Sequence, residues 1–166
     1  MTRRHAVLAA RIRAETAQLR HVVARAERAA DQIRTSGRVP DVYVDSAALN
    51  LHDFYTGLER VFQQIAATLD GSVPGGQDWH RDVLRQMGLA VPSVRPAVLS
   101  GQSIAALSEY LGFRHVVRNV YAFELHPDRV GQLVDSLGPL FATVAQELEA
   151  FADFIAQADA DSGTDA

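Results

Sequence analysis

The side chains best suited to chemistry are concentrated in one short stretch of the second half of the chain. If this stretch is a helix, with about 100° between residues, Arg114, Arg118 and Tyr121 lie on one strip and His115 and Asn119 lie on the neighbouring strip. Two guanidiniums, an imidazole, an amide and a phenol then share one side of a single helix. The planar guanidinium group suits phosphate oxygens, so this face predicts a site for an anion.

Two arginines four residues apart on a helix repel each other, so a negative partner is expected for Arg114 and its neighbour. That partner is either a bound anion or a carboxylate from another helix, and the spacing alone does not decide between them. Asp53 and Glu59 are six residues apart and point to different sides of their predicted helix, so at most one of them reaches Arg114. We expect that acid to be Asp53, which would contact Arg114 rather than the bound anion.

Apolar residues at intervals of three and four predict long amphipathic helices around this stretch. The predicted helices cover approximately residues 6–35, 42–69, 79–87, 100–121 and 127–156. Ser100 or Ser103 is expected to cap the fourth helix, and Gly138-Pro139 is expected to kink the last. Because no strand pattern is present, the sequence predicts an all-α fold, a four- to five-helix bundle with antiparallel long helices.

Length and composition indicate one domain with its own core. The chain has 166 residues, 48% of them hydrophobic, which predicts a single helical domain over residues 1–157, followed by a disordered acidic tail over 158–166. There is no cysteine, so disulfides and thiolate metal sites are excluded. No group of residues has metal-ligand spacing and no apolar run is long enough to span a membrane, so we expect no metal, no cofactor and a cytoplasmic location.

Charge is distributed unevenly although the net charge is only −4. Residues 1–38 contain nine arginines and three acids, whereas seven acids and no basic residue follow Arg129. Such a basic front and acidic rear can attract a polyanion to one side of the molecule, or they can pair one subunit with another.

The stretch from Phe113 to Tyr121 resembles the signature of the HEPN superfamily, which reads Arg, four residues, His, one residue, Tyr in the HepT-like ribonuclease toxins. Here it reads Arg114, four residues, Asn119, one residue, Tyr121. Other stretches that resemble the same group lie at residues 51–60, 78–81 and 123–125. Together the resemblance covers roughly residues 44–149.

The resemblance implies a metal-independent endoribonuclease toxin of a toxin–antitoxin pair, with its site between the signature helices of a homodimer. In such enzymes the 2′-hydroxyl of RNA attacks the adjacent phosphorus. Carried over to this chain, Arg114 would stabilise the phosphate charge with help from Arg118, and His115 and Asn119 would face the ribose. Tyr121 matches the tyrosine to which a minimal nucleotidyltransferase antitoxin transfers AMP. The implied partners are therefore RNA and not DNA, the antitoxin and a second copy of the chain.

Asn119 departs from the family pattern, because a carboxamide forms hydrogen bonds but does not titrate near neutral pH. Loss of a general acid or base typically lowers a rate by about 10²–10⁴-fold. Three explanations are compatible with this residue. The chain is an attenuated enzyme, natural or made so that a toxic protein can be produced; or it binds RNA or a partner without cutting; or His115, one turn away, supplies the proton transfer.

Two functions outside the nuclease class also fit the sequence. One is a non-catalytic helical adaptor that uses the same face to bind a nucleotidyltransferase or RNA. The other is a structural bundle whose arginines are only salt-bridged. His52 and His80 each lie near an acid in a predicted helix, and we expect both to have structural roles.

Overall fold

Five α-helices form the computed structural model of this chain, which describes residues 3–37, 41–121 and 124–161. The helices are α1 (Arg3–Thr35), α2 (Asp41–Ile65), α3 (Trp79–Met87), α4 (Gly101–Asn119) and α5 (Pro127–Asp161). Within the described ranges there is no strand, only an isolated bridge between Val91 and Arg95. The predicted all-α bundle of four to five helices is therefore confirmed.

The first helix packs in antiparallel orientation against both α2 and α5. Along α2, Glu15 accepts a hydrogen bond from Arg60 at 2.7 Å, and Leu19 lies against Gly57 further along. A Cβ on Gly57 would be 2.6 Å from a Leu19 methyl group, so glycine allows the two helices to approach closely here.

Acids of α5 pair with arginines of α1. Arg13 donates to Glu149 at 2.7 Å and to Asp153 at 2.6 Å, and Arg34 pairs with Asp135. Part of the basic front of the sequence is thus neutralised by the acidic rear within one chain. From the sequence, these charges were expected to pair one subunit with another or to attract a polyanion. The structure shows that some of them pair within one chain instead.

Phe54 of α2 lies at the centre of the bundle, where three helices meet. It is fully buried and contacts the edges of Tyr110 of α4 and Phe141 of α5, at centroid distances of 5.7 and 6.2 Å. Each aromatic contact of this kind contributes about 0.5–1.5 kcal/mol beyond the burial of its surface. Tyr110 also donates from its hydroxyl to the carbonyl of Leu133 at 2.8 Å, which holds α4 against α5.

The second and fourth helices end earlier than predicted, whereas the cap of the fourth helix is one of the two that the sequence predicted. The second helix ends at Ile65, and a π-helical turn, Ala66–Asp70, follows and stops at Gly71, whose φ of 64° suits glycine. The fourth helix begins at Ser100, whose hydroxyl caps the backbone N–H of Ser103 at 3.2 Å. It ends at Asn119, two residues early, because Val120 adopts an extended conformation that β-branched residues favour.

The last helix is longer than predicted. It continues to Asp161, into the first part of the segment predicted to be a disordered tail, because alanine-rich sequence favours helix. Residues 162–166 lie outside the described residues. The helix runs through Pro139 as one element, and the kink at Gly138-Pro139 stays a prediction. None of the helices in the described ranges is both long and apolar enough to cross a bilayer.

Candidate functional site

Arg114 points inward from α4 and forms an ion pair with an acid of α2. Its Nη2 atom lies 3.5 Å from Oε1 of Glu59. The Glu59 side chain is 5% exposed, whereas that of Asp53 is 52% exposed and contacts His52 instead. The expectation that Asp53 reaches Arg114 is therefore wrong, because Glu59 lies on the inner face of α2 and Asp53 on its outer face.

His80 of α3 binds the other oxygen of the same carboxylate. Its Nδ1 atom lies 2.6 Å from Oε2 of Glu59, and the ring of Trp79 packs against the imidazole at a centroid distance of 3.6 Å. A carboxylate can only accept a hydrogen bond, so Nδ1 of His80 is the donor. Glu59 thus joins the imidazole of His80 to the guanidinium of Arg114. The sequence had predicted only a structural role for His80 and did not predict this contact.

Two buried donors next to this carboxylate lack an acceptor among the residues that the structure describes. They are Nε of Arg114 and the hydroxyl of Tyr55. Burial, reinforced by the negative charge of Glu59, raises the pKa of Tyr55 well above its ordinary value, so this hydroxyl stays protonated. An unsatisfied buried donor costs about 1–3 kcal/mol. The N–H at Nε of Arg114 is therefore a buried donor that no acceptor among the described residues satisfies.

A cleft of about 620 Å³ lies between α3 and α4, and both His80 and Arg114 line it. Its charged and titratable lining residues are Asp78, His80, Arg81, Arg85, Arg114 and His115. Three arginines face a single acid in this lining, so the cleft attracts anions. Its size and charge suit a phosphate with an attached sugar or base.

Asn119 and His115 are joined on the exposed side of α4. The amide nitrogen of Asn119 donates to the His115 carbonyl at 2.7 Å and lies 3.3 Å from Nδ1 of the same residue. Both side chains are exposed. The predicted position of these two residues on one strip, one turn apart, is thus observed, and Asn119 has the geometry to orient the imidazole.

Arg118 and Tyr121 do not share the environment of Arg114. Arg118 is exposed and forms no ion pair with any residue in the described ranges. Tyr121 is 72% exposed and lies beyond the end of α4. The helical strip predicted for Arg114, Arg118 and Tyr121 is therefore wrong at its last member, because the helix ends two residues before it.

Neither Glu59 nor His80 was among the site residues predicted from the sequence. The only signal for them in the sequence was the family resemblance of residues 51–60 and 78–81, which contain Glu59 and His80. The contact between the two residues could not be predicted, because they are 21 positions apart in the chain. Among the described residues, no group of three potential metal ligands comes together.

A family model described as HepT-like protein matches residues 46–155 of the chain. The match spans the helices that carry Glu59, His80 and Arg114 and leaves out α1. Comparison with curated proteins and with solved structures finds no significant match.

Proposed function

This chain belongs to the HepT-like protein family, and on that basis we propose that it is a ribonuclease toxin of a toxin–antitoxin pair, acting on RNA in the cytoplasm without a metal ion. The observation that carries the proposal is the position of Arg114. Its side chain is nearly buried, borders a cleft rich in cations and retains an N–H donor. Donors of this kind, fixed before the substrate arrives, stabilise charge that develops on a phosphate.

In this proposal Arg114 binds the scissile phosphate and Arg118, at the exposed edge of α4, binds a phosphate further along the strand. His115 and Asn119 face the ribose. The contact of the Asn119 amide with the His115 ring supports a positioning role for Asn119, since an amide does not transfer protons near neutral pH.

A homodimer and a nucleotidyltransferase partner complete the proposal. Val116, Val120 and Tyr121 expose apolar surface at the end of α4, and burial of such a patch against a second copy would bring two Arg118 side chains to one site. The exposure of Tyr121 supports its proposed role as the residue that an antitoxin modifies with AMP.

The test is incubation of the purified chain with total RNA in the presence of EDTA. We expect cleavage that is lost in Arg114→Ala and retained in Arg129→Ala, which removes an exposed arginine paired with Glu109. Cleavage that needs a divalent metal, or that Arg114→Ala retains, would contradict the proposal.

The alternative is a non-catalytic adaptor that binds RNA or a nucleotidyltransferase through the same cleft. It is favoured by Asn119, which replaces the titratable group of the family signature. RNA binding without cleavage, both in the chain and in Asn119→His, would support the adaptor.

A further inference from the structure

We infer that His80, held by Glu59, is the general base of this chain and replaces the imidazole that the signature lacks at Asn119. The inference rests on the proposed ribonuclease function and assigns a residue to its proton transfer. Its basis is that His80 lies outside the signature helix, in an arrangement that joins α2, α3 and α4 around one buried carboxylate.

The contact between His80 and Glu59 has the form required of an oriented base. The Nδ1 atom donates to the carboxylate at 2.6 Å, so a neutral imidazole carries its lone pair on Nε2. A carboxylate in this position fixes the tautomer and stabilises the imidazolium that forms when Nε2 takes a proton. Glu59 is therefore a positioning residue, and His80 is the group that reacts.

The same carboxylate also fixes the distance between the base and the phosphate ligand. His80 binds Oε2 of Glu59 while Arg114 binds Oε1, and both side chains line the cleft between α3 and α4. An anion bound to Arg114 in this cleft would share the cleft with His80. Positioning by one rigid, buried group is what proton transfer in an active site requires.

The step is a transesterification in which atoms and charges balance. Nε2 of His80 takes the proton of the ribose 2′-hydroxyl while the 2′-oxygen forms a bond to phosphorus. The bond from phosphorus to the 5′-oxygen breaks, and that oxygen takes a proton from solvent. The products are a 2′,3′-cyclic phosphate and a 5′-hydroxyl, and His80 then returns its proton to solvent.

The other histidines near acids or on the signature helix lack this arrangement. His115 is exposed, and the neighbour of its Nδ1 atom is the amide of Asn119, not a carboxylate. His52 is as exposed as His80, 24% in each case, but its partner Asp53 is a solvent-exposed carboxylate at 3.5 Å. His52 therefore serves as the matched control.

The charged groups around His80 come from three helices. Glu59 of α2 contacts its imidazole, and Arg114 and His115 of α4 and Arg81 and Arg85 of α3 border the same cleft. Asp78, the remaining acid of the cleft lining, lies just before α3. The pH dependence of cleavage consequently reports this whole group and not an isolated histidine.

The test compares His80→Gln with His52→Gln on an RNA oligonucleotide in EDTA. We expect His80→Gln to lower the cleavage rate by about 10²–10⁴-fold and to remove the limb of the pH–rate profile on which the rate rises with pH. Binding of an uncleavable analogue, with a 2′-deoxyribose at the cleavage position, should stay within about twofold. His52→Gln should leave rate, profile and binding unchanged.

Chemical rescue separates a reacting imidazole from one that only supports the fold. We expect added imidazole to restore part of the cleavage by His80→Ala, and to have no effect on Arg114→Ala. Lost cleavage without rescue, accompanied by a lowered melting temperature, would assign His80 a structural role and overturn the inference.

The outcomes also separate this inference from the proposed function. Cleavage by His80→Gln at the rate of the unchanged chain overturns the role of His80 and leaves the ribonuclease proposal intact. An inactive chain that becomes active in Asn119→His overturns both the role of His80 and the ribonuclease activity of the unchanged chain, and it supports an attenuated enzyme. Absence of both cleavage and RNA binding from the chain and from Asn119→His overturns the two together.

Discussion

Arg95 and Asp70 form a buried ion pair through two atoms on each side, with Nε 2.6 Å from Oδ1 and Nη2 2.7 Å from Oδ2. Neither side chain is more than 5% exposed. Gln86 of α3 also donates to Asp70 at 2.6 Å. The pair therefore ties the end of the π-helical turn to α3 and to the connector before α4.

Removal of one member of this pair should destabilise the fold strongly. Arg95→Ala leaves a buried carboxylate with only Gln86 as a donor side chain, and we expect a loss of about 3–5 kcal/mol in the free energy of unfolding. Urea denaturation measures it. Arg129→Ala, which breaks the exposed pair with Glu109, should cost less than about 1 kcal/mol. Equal losses in the two variants would contradict the structural role of the buried pair.

A methyl group at Gly57 should force α1 and α2 apart. The added Cβ of Gly57→Ala would lie 2.6 Å from the side chain of Leu19, and overpacking of this kind costs about 1–3 kcal/mol. Gly131→Ala in α5 is the matched control, since nothing lies within 4 Å of its added Cβ. There we expect a gain of about 0.5–1 kcal/mol from helix propensity. Thermal unfolding of both variants decides whether the close helix contact exists.

The two buried tyrosines should respond differently to loss of their hydroxyls. Tyr110 donates to the Leu133 carbonyl, so Tyr110→Phe is expected to cost about 1 kcal/mol. The Tyr55 hydroxyl has no acceptor among the described residues, so Tyr55→Phe should be neutral or slightly stabilising at pH 7. Urea denaturation measures both changes in the free energy of unfolding. A larger loss in Tyr55→Phe than in Tyr110→Phe would contradict the hydrogen bonding assigned to the two hydroxyls.

The same tyrosines predict a loss of stability in alkali. Burial raises the pKa of both Tyr55 and Tyr110, whereas a tyrosine in the unfolded chain ionises near pH 10. Above about pH 10 the unfolded chain therefore binds fewer protons than the folded chain, and the free energy of unfolding falls as pH rises. Denaturation between pH 8 and 11 should show this decrease, and it should be smaller in the double variant Tyr55→Phe, Tyr110→Phe.

Arg114 and Arg118 should contribute unequally to RNA binding. Arg114 is preorganised beside Glu59, and loss of its charged hydrogen bonds, worth about 1.5–3 kcal/mol, should weaken binding by roughly 10–150-fold in Arg114→Ala. Arg118→Ala removes an exposed charge, so we expect a smaller loss and a salt slope reduced by about 0.7. Fluorescence anisotropy across a salt series measures both effects. Equal losses would show that the buried position of Arg114 confers no advantage.

Periodicity within single helices was sufficient to predict the fold. Leu51, Tyr55, Leu58 and Phe62 recur at helical intervals, and all four are buried in α2. The signature around Arg114 was also visible without a structure, and the family match agrees with it. These features depend on residues close together in the sequence, where the geometry of one helix determines which side chains share a face.

Contacts between helices were decided only by the tertiary structure. The sequence placed Glu59 and Asp53 on different sides of α2, but it could not say which side meets Arg114, since that depends on how α2 and α4 pack. The pairing of His80 with Glu59 is a further contact of this kind, and so is that of Arg95 with Asp70. Helical periodicity sets the direction of a side chain relative to its own axis, whereas its partner depends on the position and rotation of another helix.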